Sequence, residues 1–312
     1  MTTIAKLLAL LQLVFLLYIL PQYILRPNWI SILTLLGGPI SANIFGVPLL
    51  HILVLILGNS IFAFLYYTQI PYIEQYRISK NEWLFKGTPT QRAEFWNLVY
   101  SSIGLTLFNV LITIPLSWSN YSLSVLFGHS ADLEKFPTTV SIIGHMLFFI
   151  ILEDVLFYAG HRTLHSNSFL YINIHKLHHR WVQQVSIAAE ATHPVEFVVS
   201  NVIPFAAGPL LSGAHLSLVY LWTIYRVFET ISHHSGYELP TDMFAILNFQ
   251  GDTLAHDLHH SKGGGLSNRS GNYGSMSTFW DTLFNTRLIE DSTTLKGIQQ
   301  QEKEIKQGKK KL

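Results

Sequence analysis

The 312-residue chain contains no cysteine. Disulfides, thiolate nucleophiles and cysteine-type zinc sites are therefore excluded. Charge is also scarce: Asp, Glu, Lys and Arg make up 12% of the chain, against about 25% in an ordinary soluble domain. A surface so poor in charge does not all face water. Neither sign dominates, with Lys+Arg 20 against Asp+Glu 19 and a net charge of +1. That balance removes the basic face that nucleic acid requires. What is abundant is apolar length and histidine. Hydrophobic residues are 49% of the chain, and most of its 15 histidines fall between His161 and His260.

Crossing a bilayer takes about 20 apolar residues. Ile4 to Leu25 qualifies, interrupted by Gln12 and Pro21-Gln22. It is too long for a cleavable signal, and no small-residue cleavage site follows it. Val47 to Tyr67, Leu98 to Trp118 and Val140 to Ala159 are three further spans, the last carrying Glu153 and Asp154 near its end. Val195 to Val227 is apolar but interrupted by Pro204 and Gly208-Pro209. It reads equally as a hairpin dipping into the membrane or as two ordinary spanning helices. Arg77, Lys80, Lys86 and Arg92 lie between the second and third spans, and only Lys135 between the third and fourth. The positive-inside rule then puts both termini in the cytosol. The glycosylation sequon Asn120-Tyr121-Ser122 falls on the luminal side, and Asn268-Arg269-Ser270 falls in the cytosol, where it stays bare. The terminal Lys309-Lys310-Lys311-Leu312 resembles a dilysine signal for endoplasmic reticulum retrieval, or is a basic solvating tail. The expectation is an all-α integral membrane protein of about four spans with a cytosolic helical cap. Residues 1–138 form its transmembrane region, 139–288 its histidine-rich part and 289–312 a polar tail.

Three histidine clusters carry the chemistry: His161 with His165, His175 with His178 and His179, and His256 with His259 and His260. Residues three and four apart share a helix face, so each cluster aims its rings one way. Convergence of eight neutral nitrogen donors points to metal, and imidazole suits iron, zinc and copper. Eight donors exceed one tetrahedral zinc, so two ions are expected. His193 and His234 are expected to complete the set, with His233 a neighbour only. His51, His129, His145 and His215 are assigned to packing. His145 precedes His161 by 16 residues, about 24 Å along one helix, too far to share the site. A ligating imidazole normally donates its other N–H to a carboxylate or carbonyl. Asp154, Glu190, Glu196, Glu229 and Asp257 are candidates for that role, beside ordinary salt bridges. Tyr158, Trp222, Tyr225 and Tyr237 are candidates for lining an apolar channel, beside core packing.

The segments HRTLH, HKLHH, AEATHPVE, FETISHHSGYELP, HDLHH and GNYG…FWDTLF, in that order, resemble the fatty acid hydroxylase superfamily of membrane oxygenases. His193-Pro194-Val195-Glu196 and the stretch from Glu229 to Pro240 look most like its C-4 methylsterol oxidase branch, as does Pro71 to Ile78. The resemblance covers Pro71 to Arg287. It implies two iron ions, with zinc possible in purified material, and O2 as oxidant. It also implies electrons from NAD(P)H through cytochrome b5 and its reductase, and a lipid substrate from the bilayer. The branch implies C-4 methyl groups of sterols. Other lipids (a sphingoid base, a fatty acyl chain, a sterol side chain or sterol C-5) are the alternative within the superfamily. A non-redox zinc membrane protein is the alternative outside it. Two departures bear on substrate: the glycine-rich insertion Ser261 to Ser270, and Ala255 where many relatives have histidine.

Overall fold

The computed structural model describes residues 3–79, 81–128, 135–239, 253–262 and 270–288. Lys80, His129, Pro240, the Asn268 sequon, most of the glycine-rich insertion (263–269) and the tail 289–312 with its terminal lysines lie outside the described residues. Among the described residues the regular structure is helical, apart from one antiparallel bridge between Arg77 and Tyr237.

Five helices are long and apolar enough to cross a membrane. The first, α1, runs unbroken through Thr3–Val14, Phe15–Leu25 and Arg26–Leu35. Pro21 does not end it, because the middle segment widens to a π-helix in which the Arg26 N–H reaches the Pro21 carbonyl. The second helix, α2, covers Pro39–Thr68. The third, α3, covers Pro89–Leu126 and opens on a capping box: Thr88 accepts from the Gln91 N–H, and the Gln91 side chain accepts from the Thr88 N–H. Helix α4 spans Thr139–Ser166, with Thr138 as its cap. It continues about two turns beyond the apolar stretch, because apolarity marks where lipid ends and not where a helix does. Helix α5, Pro194–Ser212, accommodates Pro204 in its first α turn, after the π segment Phe197–Val202. It is long and apolar enough to cross, so five helices stand where about four spans are expected. Helix α6, Leu216–His233, follows after Gly213, which ends α5 in the left-handed conformation. Helix α7 is Thr253–Lys262 and α8 is Phe279–Leu283.

α6 packs along α2 and α5 along α4. Both contacts are close because glycine permits it. A Cβ on Gly58 would lie 2.8 Å from Ile231 Cδ1, and one on Gly208 would lie 2.6 Å from Phe149 Cδ1 and 3.0 Å from its Cα. Outward from these contacts, Leu53, Ile56, Leu57, Leu107, Leu111, Leu147 and Ile151 are exposed. A belt of large apolar side chains on three neighbouring helices is a lipid-facing surface.

One helix in the sequence reading changes meaning here. Because α3 runs to Leu126, Asn120-Tyr121-Ser122 lies inside a helix and Asn120 is half-buried. A usable sequon sits on a surface loop, so Asn120 is withdrawn as a glycosylation acceptor.

Candidate metal centre

The last two turns of α4 carry His161 and His165. A short helix, Ser168–Asn173, turns the chain back, and the 3₁₀ turn His175–Arg180 brings His175, His178 and His179 against them. His234 caps the C-terminal end of α6, and α7 supplies His256, His259 and His260. These nine rings form two groups: His161, His165, His175, His179 and His259; and His178, His234, His256 and His260. Within each, one nitrogen from every ring lies within 4.8 Å of all the others. The groups adjoin, with 4.6 Å between the ring centroids of His179 and His260.

Neither triplet aims at a single point. His178 parts from His175 and His179, and His259 parts from His256 and His260. Consecutive residues on a helix point about 100° apart, so neighbours such as His178 and His179 diverge to opposite groups. A triplet thus serves two centres at once.

Ring tautomers show what the groups suit. His161 Nδ1 lies 2.9 Å from the Tyr273 carbonyl, His259 Nδ1 2.7 Å from that of Gly271, and His234 Nδ1 2.8 Å from that of Thr230. His175 Nδ1 lies 2.8 Å from Glu196 Oε1. Carbonyl and carboxylate oxygens accept, so each Nδ1 carries the hydrogen and each Nε2 presents a lone pair. Yet His161 Nε2 and His175 Nε2 are 3.2 Å apart. Two lone pairs at that distance repel unless a cation lies between them. Nitrogens bound about 2.1 Å from one ion, at right angles, lie about 3.0 Å from each other. The Nε2 spacings here run from 2.8 Å (His175 to His165, His256 to His234) through 3.0 Å (His179 to His175) to 3.4 Å (His234 to His178). The donor set therefore fits metal ions. Burial first, and the neighbouring rings second, holds protonation of His175, His178, His179, His256 and His260 well below the usual histidine range. Burial pushes His234 down to about 3 and His259 down to about 4, against opposing backbone carbonyls. Neutral imidazole is the metal-binding form.

His193 joins neither group. Its Nδ1 accepts from the Val195 N–H, 3.2 Å away, and it caps α5. His51, His145 and His215 also stay outside both groups. His145 bonds the Ser141 carbonyl, His215 caps α6, and His51 pairs with Glu190 at 2.6 Å. Of the five carboxylates, Glu196 alone is seen to meet a ring of either group. Glu190 faces His51 instead. Glu229 lies between Arg226 at 2.7 Å and His233 at 3.0 Å, and His233 itself joins neither group. Asp257 lines a separate cleft with Asn81, Trp83 and Gln183, and burial raises it to about 6. Asp154 acts one layer out. It accepts from the N–H groups of Met276 and Ser277 and from the Ser277 hydroxyl, and so holds the loop that carries Tyr273.

Sequence reasoning missed the residues that act through the backbone. Asp281 accepts from the Tyr273 and Gly274 N–H groups at 2.9 and 2.8 Å. Asn272, left-handed at φ 57°, donates to the Ala255 carbonyl of α7 at 3.0 Å. Gly271-Asn272-Tyr273 is therefore one strap: two of its carbonyls orient His259 and His161, while its asparagine holds α7. Asn109, fully buried in α3, donates to the Thr192 carbonyl at 3.0 Å and anchors the segment before α5. A buried Asp in the aromatic run Phe279-Trp280-Asp281, and an Asn amid the apolar α3, were the visible signals. The carbonyls themselves leave none.

A small cavity opens beside the rings, between Phe157, Ser200, Thr230 and Ser275. A second, larger one lies among α2, α3, α5 and α6. Asn201 and Thr230 line both, so the two adjoin. Tyr158, Trp222, Tyr225 and Tyr237 line neither. Trp222 and Tyr225 belong to the core between α4 and α6, Tyr237 packs on Tyr66 and Trp83, and Tyr158 stacks on Phe284.

A family model described as fatty acid hydroxylase matches residues 146–286, the stretch that holds both groups. A very-long-chain aldehyde decarbonylase of Oryza sativa subsp. indica is 33% identical over 201 residues, which are 64% of this chain and 72% of that protein. A methylsterol monooxygenase of Arabidopsis thaliana is 34% identical over 182 residues, 58% of this chain and 66% of its own. Another, of Danio rerio, is 29% identical over 218 residues, 70% of this chain and 69% of its own. No solved structure matches the chain.

Proposed function

The chain belongs to the fatty acid hydroxylase family, and from that footing we propose that it is a membrane oxidoreductase that oxidises a lipid with O2 at a two-metal histidine centre. The observation that carries this is the pair of adjoining histidine groups beside an apolar cavity at the ends of long apolar helices. His161, His165, His175, His179 and His259 would hold one ion, and His178, His234, His256 and His260 the other. A bound iron pair supplies the O2 activation and C–H oxidation that side chains alone do not. The chain's own part is positional. Glu196 and the strap carbonyls keep Nδ1 protonated, so Nε2 faces the ion. Burial excludes water and favours neutral rings. The cavity brings an apolar substrate to the centre from the bilayer.

The proposed substrate is a sterol carrying C-4 methyl groups, supported by His193 to Glu196, by the Glu229 to Pro240 stretch and by the methylsterol monooxygenase relatives. NAD(P)H, through cytochrome b5 and its reductase, is the proposed electron source. The endoplasmic reticulum, with cytosolic termini, is the proposed location. A second reading, a long-chain aldehyde substrate, is favoured by the decarbonylase relative. Sterol profiling of cells lacking the protein separates them. Accumulation of 4-methyl or 4,4-dimethyl sterols is expected. Unchanged sterols with altered hydrocarbons or hydroxylated sphingolipids would overturn the sterol assignment.

A further inference from the structure

The chain that follows the strap stays against α4. Asp154 accepts from the Met276 and Ser277 N–H groups, and Met276 packs in the core between α4 and α6. Further along α4 the Tyr158 ring stacks on Phe284 at 5.6 Å, and its hydroxyl lies 3.0 Å from that of Thr286. Further still, the Arg162 guanidinium lies 5.8 Å from the centre of the Phe284 ring. From Asp154 to Arg162 is about 12 Å of helix at 1.5 Å per residue. The apolar stretch of α4, Val140 to Ala159, is about 30 Å long on the same rise, the thickness of bilayer hydrocarbon. Ala159 thus marks the edge of the hydrocarbon, and the segment from Met276 to Thr286 straddles that edge.

What this segment turns outward is apolar. α8 places Phe279 and Leu283 one above the other, with Trp280 and Phe284 in the row beside them. Phe279, Leu283 and Phe284 are 40%, 56% and 49% exposed. Asp281 turns the other way, fully buried, and holds the strap through the Tyr273 and Gly274 N–H groups. The outer side continues the lipid-facing belt. Ile151 of that belt and Tyr158 lie two turns apart on one face of α4, and Phe284 covers Tyr158. Arg162 supplies the other mark of a membrane boundary, since it lies over the rings of both Tyr158 and Phe284. A long cation resting on aromatic rings at the hydrocarbon edge sends its charge outward to the headgroups.

We propose that Phe279, Leu283 and Phe284 sit among the acyl chains of the leaflet nearest the histidines, so that α8 is a membrane anchor for the strap. The partner is the lipid surface itself, with hydrocarbon around the three side chains and phosphate for Arg162. α8 has five residues and enters the leaflet without crossing it. The anchor is independent of which lipid the centre oxidises.

The chain has no cysteine, so an introduced one can be labelled alone. Full-length Leu283→Cys and Phe279→Cys, each carrying a nitroxide spin label, are placed in phosphatidylcholine nanodiscs. Relaxation of the label by O2, which concentrates in hydrocarbon, is compared with relaxation by chromium oxalate, an ion that stays in water. Ile151→Cys on the belt is the lipid reference, and Val182→Cys beside the Asp257 cleft is the water reference. The O2-to-chromium ratio at both α8 positions is expected about tenfold above that at Val182→Cys, because an ion is excluded from hydrocarbon. A ratio matching Val182→Cys puts α8 in water and overturns the proposal. Weak relaxation by both agents, with spin–spin broadening, puts a second copy of the chain on α8 and overturns it equally. The unmodified protein answers without a variant. In nanodiscs holding a phosphatidylcholine with a diazirine on its acyl chain, illumination should attach lipid within residues 279–284 as well as to the belt of α2. Attachment to α2 with residues 279–284 left bare overturns the proposal.

Discussion

Glu196 faces His175 Nδ1 across 2.8 Å, and that contact decides which nitrogen of the ring is free. Glu196→Gln keeps the shape but can present its amide N–H₂ to the ring instead of an acceptor. Losing such a partner typically lowers metal affinity by 10–100-fold. Metal content after dialysis against a weak chelator should therefore fall in Glu196→Gln and hold in His193→Ala, whose ring only caps α5. Equal retention by both variants would show that Glu196 does not position His175. The rings also set a pH dependence. Burial lowers His259 to about 4 from the usual 6.5, so the unfolded chain binds its proton first. The stability due to each such ring is present above about pH 6.5 and is lost as pH falls toward 4. Thermal unfolding of the metal-free protein should move to lower temperature across that window, and an unchanged transition would contradict the burial argument.

At the scale of elements, length and apolarity made the spans legible, and histidines three and four residues apart made the clusters legible. The all-helical class and the family resemblance both stand. Boundaries were less legible. Val140 to Ala159 was readable from apolarity, but the helix runs on to Ser166, and those two extra turns carry His161 and His165. Pro21 signals a break that a π segment absorbs. The strap at Gly271 to Tyr273 was illegible because it works through carbonyls, which every residue has. Gly208 shows an element-level constraint of a different kind. It sets the approach of α5 to α4, and a Cβ there meets the Phe149 backbone. Gly208→Ala should cost about 1–3 kcal/mol, as overpacking does. Gly104→Ala, where a Cβ meets nothing within 4 Å, should cost nothing and serves as control. Equal melting temperatures for the two variants in detergent would refute the close-packing account.

The whole molecule joins a lipid-facing belt, an apolar cavity and a histidine centre along one direction. α4 links them, since its apolar length lies in the bundle and its last two turns carry the first two rings. α6 links them too, with Arg226 and Thr230 on the cavity wall and His234 at its end. The chain thereby places a polar, dry centre at the mouth of an apolar chamber, the arrangement a lipid-oxidising enzyme needs. Everything in this account depends on the two groups being metal sites. The direct measurement is metal per chain, by inductively coupled plasma mass spectrometry, in the full-length protein and in His259→Ala and His178→Ala. Two transition-metal ions per chain are expected in the wild type, with a loss in each variant, because each removes a ring from a different group. A wild type with at most one ion, or both variants with a full complement, would contradict the account.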